Sequence, residues 1–278
     1  MSATGTLAGS GRESESAPYS VPRGPIWLLR DIWAEGTRHL RATIRNPDLL
    51  VFAALQPIMF VVLFVYVFGG AIQIPGYRTY QQFVVPGIFA QTVVFGSAFT
   101  GIGIAEDMQK GFIDRLRSLP MYQPAVLIGR TWSDLLRNAF TFVIMMVVGL
   151  IVGFRLEGGI INSLLATLLL LAFAFAFSWI QAWIGLSVKS VEAANSAGFI
   201  WMFPMTFVSS AFVSTESMPN WLAKAAEVNP FTIVTNAVRA LYNGHPVGND
   251  VWWSILWALG LTAVFSALSF RKFQNTSK

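Results

Sequence analysis

Long uncharged stretches separated by short charged ones organise this chain. They occupy residues 49–77, 79–105, 138–154, 158–188, 193–215 and 251–270. A helix needs about 20 apolar residues, at about 1.5 Å each, to cross a hydrocarbon core about 30 Å thick. Five stretches meet that length. The third has 17 residues and recruits the turn containing Leu135 and Leu136, which sets Asp134 and Arg137 near the headgroups. The pattern predicts an all-α polytopic membrane protein with six spans, at about 49–70, 83–105, 132–154, 160–184, 194–215 and 250–270. Phe173, Phe175 and Phe177 alternate with alanines, but they lie within an uncharged run of 31 residues. They are read as helical, because the strands of a membrane barrel alternate over only about ten residues.

Composition agrees with the pattern. The chain of 278 residues is 54% hydrophobic and 12% charged, whereas soluble domains carry about 25% charged residues. So few charges do not cover the surface of a soluble protein. The absence of cysteine excludes thiol catalysis, thiolate metal sites and disulfides. Basic residues set the expected orientation. Fourteen of the 19 Lys and Arg residues fall on the side of the amino terminus, and four (Arg78, Arg155, Lys224 and Arg239) fall on the other; Arg137 is left uncounted. By the positive-inside bias, both termini are cytoplasmic in a plasma membrane. The formal charge of +5 then reports on anionic lipid rather than nucleic acid.

Outside the spans, residues 1–25 are rich in Gly, Ser and Pro and read as a disordered cytoplasmic tail, leaving 26–278 as the transmembrane domain. Ile26, Leu29, Trp33, Leu40 and Ile44 recur at helical spacing opposite charged residues, which predicts an amphipathic helix at the inner interface. In the loop after the second span, Met108, Phe112, Leu116 and Leu119 share one helical face, and Lys110, Asp114 and Arg117 share the other. Such a density of charge in a charge-poor chain reads either as a solvated amphipathic loop or as a docking element for a cytoplasmic partner. Residues 216–250 are too long for a plain connector. Helix starts at Pro219-Asn220-Trp221 and Asn229-Pro230 predict short helices, the second with Phe231, Val234, Val238 and Leu241 on one face. They read as re-entrant pieces or as a small outer cap.

The candidate chemistry is sparse. His39 and His245 both lie outside the spans, so a histidine-based metal or haem centre is not expected. No phosphate-binding Gly-Lys-Ser/Thr loop is present, and no acidic residue falls in the middle of a predicted span. Energy for any pumping is therefore expected from another subunit. Gln56, Gln91 and Asn195 are candidate polar groups within the spans, for bonds between helices or for a transport route. Pro57 and Pro204 predict kinks. Gly149-Gly153 and Ser97-Gly101 allow close helix approach. Trp132, Trp179, Trp183, Trp252 and Trp253 read as interface anchors.

Three features together resemble the permease subunits of ABC-2 type exporters, in particular the actinobacterial daunorubicin/doxorubicin-resistance-like branch. They are the six spans; Glu106-Asp107 through Gly111, Arg115 and Pro120; and Pro219-Asn220-Trp221 leading to Asn229-Pro230-Phe231 and Arg239. The resemblance covers most of residues 26–272. It implies a permease that is not itself an enzyme and holds no cofactor, with ATP and Mg bound by a partner. The implied assembly is two permease subunits, identical or related, with two copies of a cytoplasmic ATPase. It further implies ATPase coupling through Glu106, Asp107, Lys110, Gly111, Asp114, Arg115 and Arg117, and an outer gate around Pro219, Trp221, Asn229, Pro230 and Arg239. Hydrophobic or amphiphilic cargo (drug, lipid or glycolipid) is the expectation. A polysaccharide permease and a membrane scaffold or sensor without transport are the alternatives.

Overall fold

The computed structural model describes residues 30, 33, 34, 36, 37, 47–70, 74, 76–112 and 123–275. Among them the regular elements are helices. In chain order they are α1 (Pro47–Val62), continued by a π-helical turn (Leu63–Phe68); α2 (Tyr80–Gln109); α3 (Gln123–Ile151); and α4 (Gly159–Ser187). Then come α5 (Val191–Phe207), a 3-10 turn (Thr215–Ser217), α6 (Asn220–Glu227), α7 (Pro230–Asn243) and α8 (Asp250–Asn275). Four stretches, in α2, α3, α4 and α8, are long and apolar enough to cross a membrane, and Ala54–Phe68 is a shorter apolar helix. The protein is an all-α, multi-pass membrane protein.

The bundle is built around α2. Its apolar window is 83% buried, against 11% in α8, so α2 is a core helix and α8 a peripheral one. Small residues allow this packing. A Cβ on Gly101 of α2 would lie 2.6 Å from the carbonyl oxygen of Gln181 in α4, and one on Gly185 would collide with the carbonyl of Gly101. The two backbones therefore cross in direct contact, as small residues permit between membrane helices. Gly101 thus meets a neighbour within its own chain. Gly149 does too, because a Cβ there would press on Phe89 and Val85, while Gly153 closes α3 at φ +104°. Gly149, expected as one half of a close-approach pair, is already covered within the chain.

Two helices differ most from their expected bounds. α3 begins at Gln123, nine residues before the expected 132, so Asp134 and Arg137 lie well inside a continuous helix rather than in its first turn. α5 stops at Phe207, eight residues short of the expected 215. Pro204 within it lacks an N–H, and residues 208–214 turn back so that Ser209, Ser210, Ala211 and Phe212 are buried. Asn229 secures that end. Its Nδ2 donates to the carbonyls of Met205 and Val208, both at 2.7 Å, while its Oδ1 accepts from the Phe231 N–H at the start of α7.

The loop 216–250 contains α6 and α7 at the two expected starts. Phe231, Val234, Val238 and Leu241 are buried, with α7 packed on α2, α4 and α8. Of the amphipathic stretch expected over 26–45, residues 30, 33, 34, 36 and 37 are helical and Gly36 approaches Gly129 and Trp132 of α3. Most of that stretch, the tail 1–25 and residues 113–122 lie outside the described residues. Trp179, expected as an interface anchor, is only 3% exposed. It packs edge-on against Phe175 and Phe270.

Candidate functional site

A seam of alternating charge joins α2 to α3. Arg130 Nη1 donates to Asp107 Oδ2 at 3.3 Å and Arg130 Nε donates to Asp134 Oδ2 at 3.1 Å. The other Asp134 oxygen meets Arg137 Nη2 at 3.2 Å. Arg130, Asp134, Arg137 and Thr141 recur at helical spacing, so one face of α3 presents them together. Room for them comes from glycine. A Cβ on Gly103 would collide with the Arg130 guanidinium, and one on Gly96 with the Asn138 carboxamide. Low-dielectric surroundings make an unpaired charge costly, and the alternation pairs each charge with its opposite.

Arg137 sits deep. It is residue 15 of 29 in α3, and its Nη2 donates to the carbonyl of Gly96, residue 17 of 30 in α2, at 3.3 Å. Both positions fall at mid-helix. Its guanidinium lies 4.5 Å from the Phe99 ring centroid, a cation–π distance. The sequence reading put Arg137 and Asp134 near the headgroups and found no acidic residue in mid-span. The helix starts earlier than the expected span, so both residues lie within it, and the structure adds that their side chains are about nine-tenths covered. The 130, 134, 137, 141 register was the available signal.

Around Arg137 lies a cavity of about 80 Å³ between α1, α2, α3 and α5, lined by residues that include Gln56, Phe60, Gln91, Phe95 and Phe199. Two of the three span amides expected as route groups, Gln56 and Gln91, therefore meet at one cavity. The third, Asn195, is exposed on α5 and does not line it. Gln181, missed in the sequence, is fully buried in α4 and donates to Met202 Sδ.

The charged end of α2 divides into two parts. Asp107 turns inward to Arg130, whereas Glu106 and Lys110 form an exposed pair at 2.5 Å. The Glu106 carboxylate, by hydrogen bond and charge, raises the Lys110 pKa from its ordinary value. Helix α2 ends here, with Lys110 at its cap and Gly111 at φ +63°, and Phe112 is again helical, while residues 113–119 of the expected amphipathic stretch lie outside the described residues. Lys110 consequently pairs back to Glu106. Asp114, Arg115 and Arg117 lie outside the described residues.

The outer-gate candidates are likewise separated. Pro219 caps α6, Trp221 is 73% exposed, and Pro230 is the first residue of α7. Arg239, counted among the charges of the outer side, is buried. It donates to the carbonyls of Phe83 (2.9 Å), Ser210 (2.7 Å) and Ala211 (3.3 Å) and to Asn236 Oδ1 (3.0 Å), with its guanidinium 3.8 Å over the Phe83 ring. It ties α7, α2 and the 208–214 turn together. Among the described residues, no group of three or more His, Cys, Asp or Glu is placed to hold a metal ion.

The charged seam is enclosed in an all-helical bundle whose long helices are apolar enough to cross a membrane. The chain belongs to the ABC-2 type transporter family, whose model matches residues 30–243. It is a polytopic membrane permease of the exporter type, and membership in the family implies work with a separate ATPase subunit. Among known proteins it is 34% identical over 263 residues to the daunorubicin resistance ABC transporter permease protein DrrB1 of Streptomyces coeruleorubidus, covering 89% of this chain and 93% of that one. It is 23% identical over 267 residues to the probable doxorubicin resistance ABC transporter permease protein DrrC of Mycobacterium tuberculosis, covering 94% and 96%. The probable multidrug ABC transporter permease YbhR of Escherichia coli is 23% identical over 202 residues, 70% of this chain and 53% of that protein.

Proposed function

We propose that this chain is the membrane half of an ATP-driven exporter that moves a hydrophobic or amphiphilic compound across the plasma membrane. In this reading six spans place both termini in the cytoplasm, a second permease subunit completes the route, and two copies of a cytoplasmic ATPase supply the energy. The short helices α6 and α7 form a re-entrant outer region around Pro219, Trp221, Asn229, Pro230 and Arg239. The compounds in the names of the relatives from Streptomyces and Mycobacterium support the amphiphilic cargo class.

The observation that carries coupling is the division at the end of α2. Asp107 is consumed by an internal pair, while Glu106 and Lys110 remain exposed, a few residues ahead of Asp114, Arg115 and Arg117 in the sequence. Exposed pairs of this kind add at most about 1 kcal/mol to folding, so these charges are available to fix the register of a docked partner. Reconstitution with the ATPase tests the assignment. Glu106→Lys and Arg115→Glu should insert normally yet separate substrate-stimulated hydrolysis from export. Wild-type values for both activities in both variants would overturn it.

A further inference from the structure

Helix α1 changes its winding where it meets the end of α5. It is α-helical over Pro47–Val62 and π-helical over Leu63–Phe68, a wider turn that carries one residue more than an α turn. Phenylalanine stands at 60, 64 and 68. On a regular α-helix each step of four residues overshoots a full turn by about 40°, so the third ring would drift about 80° from the first. The wider turn counters that drift, and the three rings follow one another with centroids 6.0 and 5.4 Å apart. A second row runs along α5 into the turn after it, through Phe199, Phe203, Phe207 and Phe212 at 5.7, 6.0 and 5.3 Å. Phe60 and Phe199 both line the cavity beside Arg137, so the two rows start at its wall. They close on each other beyond it. Phe64 stacks on Phe212 at 4.6 Å, and Phe60 lies 6.4 and 6.3 Å from Phe207 and Phe212.

Few other side chains of this turn are enclosed. Between residues 61 and 68 only Val61 and Val65 are buried, while Val62, Leu63, Tyr66 and Val67 are exposed. Gly69 shows what the wide winding requires. A Cβ there would lie 2.1 Å from the Val65 carbonyl oxygen, a backbone atom that no rotamer change moves aside, whereas one on Gly70 would meet open space. A side chain at 69 therefore disfavours the π winding and favours the α winding, in which alanine is the better residue anyway. Rewinding to α passes the extra residue on to Gly69 and Gly70 and rotates the chain across the turn by about 100°, the angle of one residue. The rotation accumulates along the turn, so Phe68 leaves the row and Phe64 loses its stacking on Phe212.

We propose that the π turn of α1 is a latch: wound wide, it closes the two phenylalanine rows over the cavity on the side of the 208–214 turn, and wound as α it opens them. The latch takes its transport role from the exporter reading, but its test needs no export. The chain has no cysteine, so Tyr66→Cys, at a position 67% exposed, takes a single trifluoromethyl label on the purified full chain in phosphatidylcholine nanodiscs. Fluorine NMR then measures the two windings as separate resonances, without ATPase or nucleotide, so a failed latch and a failed exporter assignment are distinct results. Gly69→Ala should enlarge the second resonance at least about tenfold relative to the first, through the collision with backbone. Gly70→Ala carries the same gain in helix propensity without the collision and should shift the ratio far less. Phe212→Leu removes the ring on which Phe64 stacks and should shift the ratio in the same direction as Gly69→Ala; it decides the matter where Gly69→Ala lowers stability. Opening is read at Thr92, which lines the cavity and is 5% exposed. Thr92→Cys should react with a small water-soluble thiol reagent faster beside Gly69→Ala than beside Gly70→Ala, in proportion to the second resonance. Equal resonance ratios or equal reaction rates in the Gly69 and Gly70 variants, or a wild-type ratio in a folded Phe212→Leu variant, overturn the latch.

Discussion

Replacing Arg239 by lysine separates the worth of a charge from the worth of its geometry. The guanidinium is fully enclosed, reaching three backbone carbonyls and Asn236 from Nε, Nη1 and Nη2 while lying on the Phe83 ring. An ammonium keeps the charge but is a compact point, unable to serve Phe83, Ser210 and Asn236 from three sides at once. Two of the contacts are lost. Charged hydrogen bonds contribute about 1.5–3 kcal/mol each, and the cation–π contact about 0.5–2 kcal/mol. Relief from burying a delocalised cation offsets part of this, though the ammonium, more strongly hydrated, is itself costly to bury. We expect Arg239→Lys to lose about 2–4 kcal/mol and Arg239→Met less than that, because methionine fills volume and carries no charge to desolvate. Unfolding by sodium dodecyl sulfate from mixed micelles, followed by tryptophan fluorescence, gives the difference. A lysine variant as stable as wild type would show that charge alone matters at this position and refute the reasoning.

The crossing of α2 and α4 gives a second expectation. Gly101→Val or Gly185→Val forces backbone against side chain and should cost about 1–3 kcal/mol in the same titration, whereas Gly260→Val, in open space, should not shift the midpoint. The seam gives a third. Asp134→Asn leaves Arg130 and Arg137 sharing a neutral amide and should cost about 3–5 kcal/mol, with restoration toward wild type in the double variant Asp134→Asn, Arg137→Gln.

The long apolar helices were legible because their uncharged runs outlast a membrane thickness, and the starts of α6 and α7 because proline marks them. Burial was harder to read. Asp134 and Arg137 look like the edge of a span when hydropathy alone sets the boundary, since a charge lowers the window average wherever it sits. Only the partner helix, where the Gly96 carbonyl accepts from Arg137 and Gly103 leaves room for the Arg130 that pairs with Asp134, covers them, and that pairing is tertiary. The same reason hid Arg239. Its basic charge in a loop reads as surface, and nothing local announces that carbonyls on α2 and on residues 210–211 converge on it. Gln91 and Gln56 were identifiable as polar residues in spans, but their meeting at one cavity depended on how α1, α2 and α3 assemble.

One carboxamide closes the tail of α5 and opens α7. Pulling these two segments apart by even a hydrogen-bond length would strand the carbonyls of Met205 and Val208 and the N–H of Phe231 together, in surroundings poor in replacements. Asn229 therefore acts as an axle pin. Tilting α5 is permitted, since the bonds lie close to one point, while sliding it lengthwise past α7 is blocked. A displacement beginning at the Val191 end of α5 consequently reaches its other end as a rotation about residue 229, carrying the turn 208–214 with it.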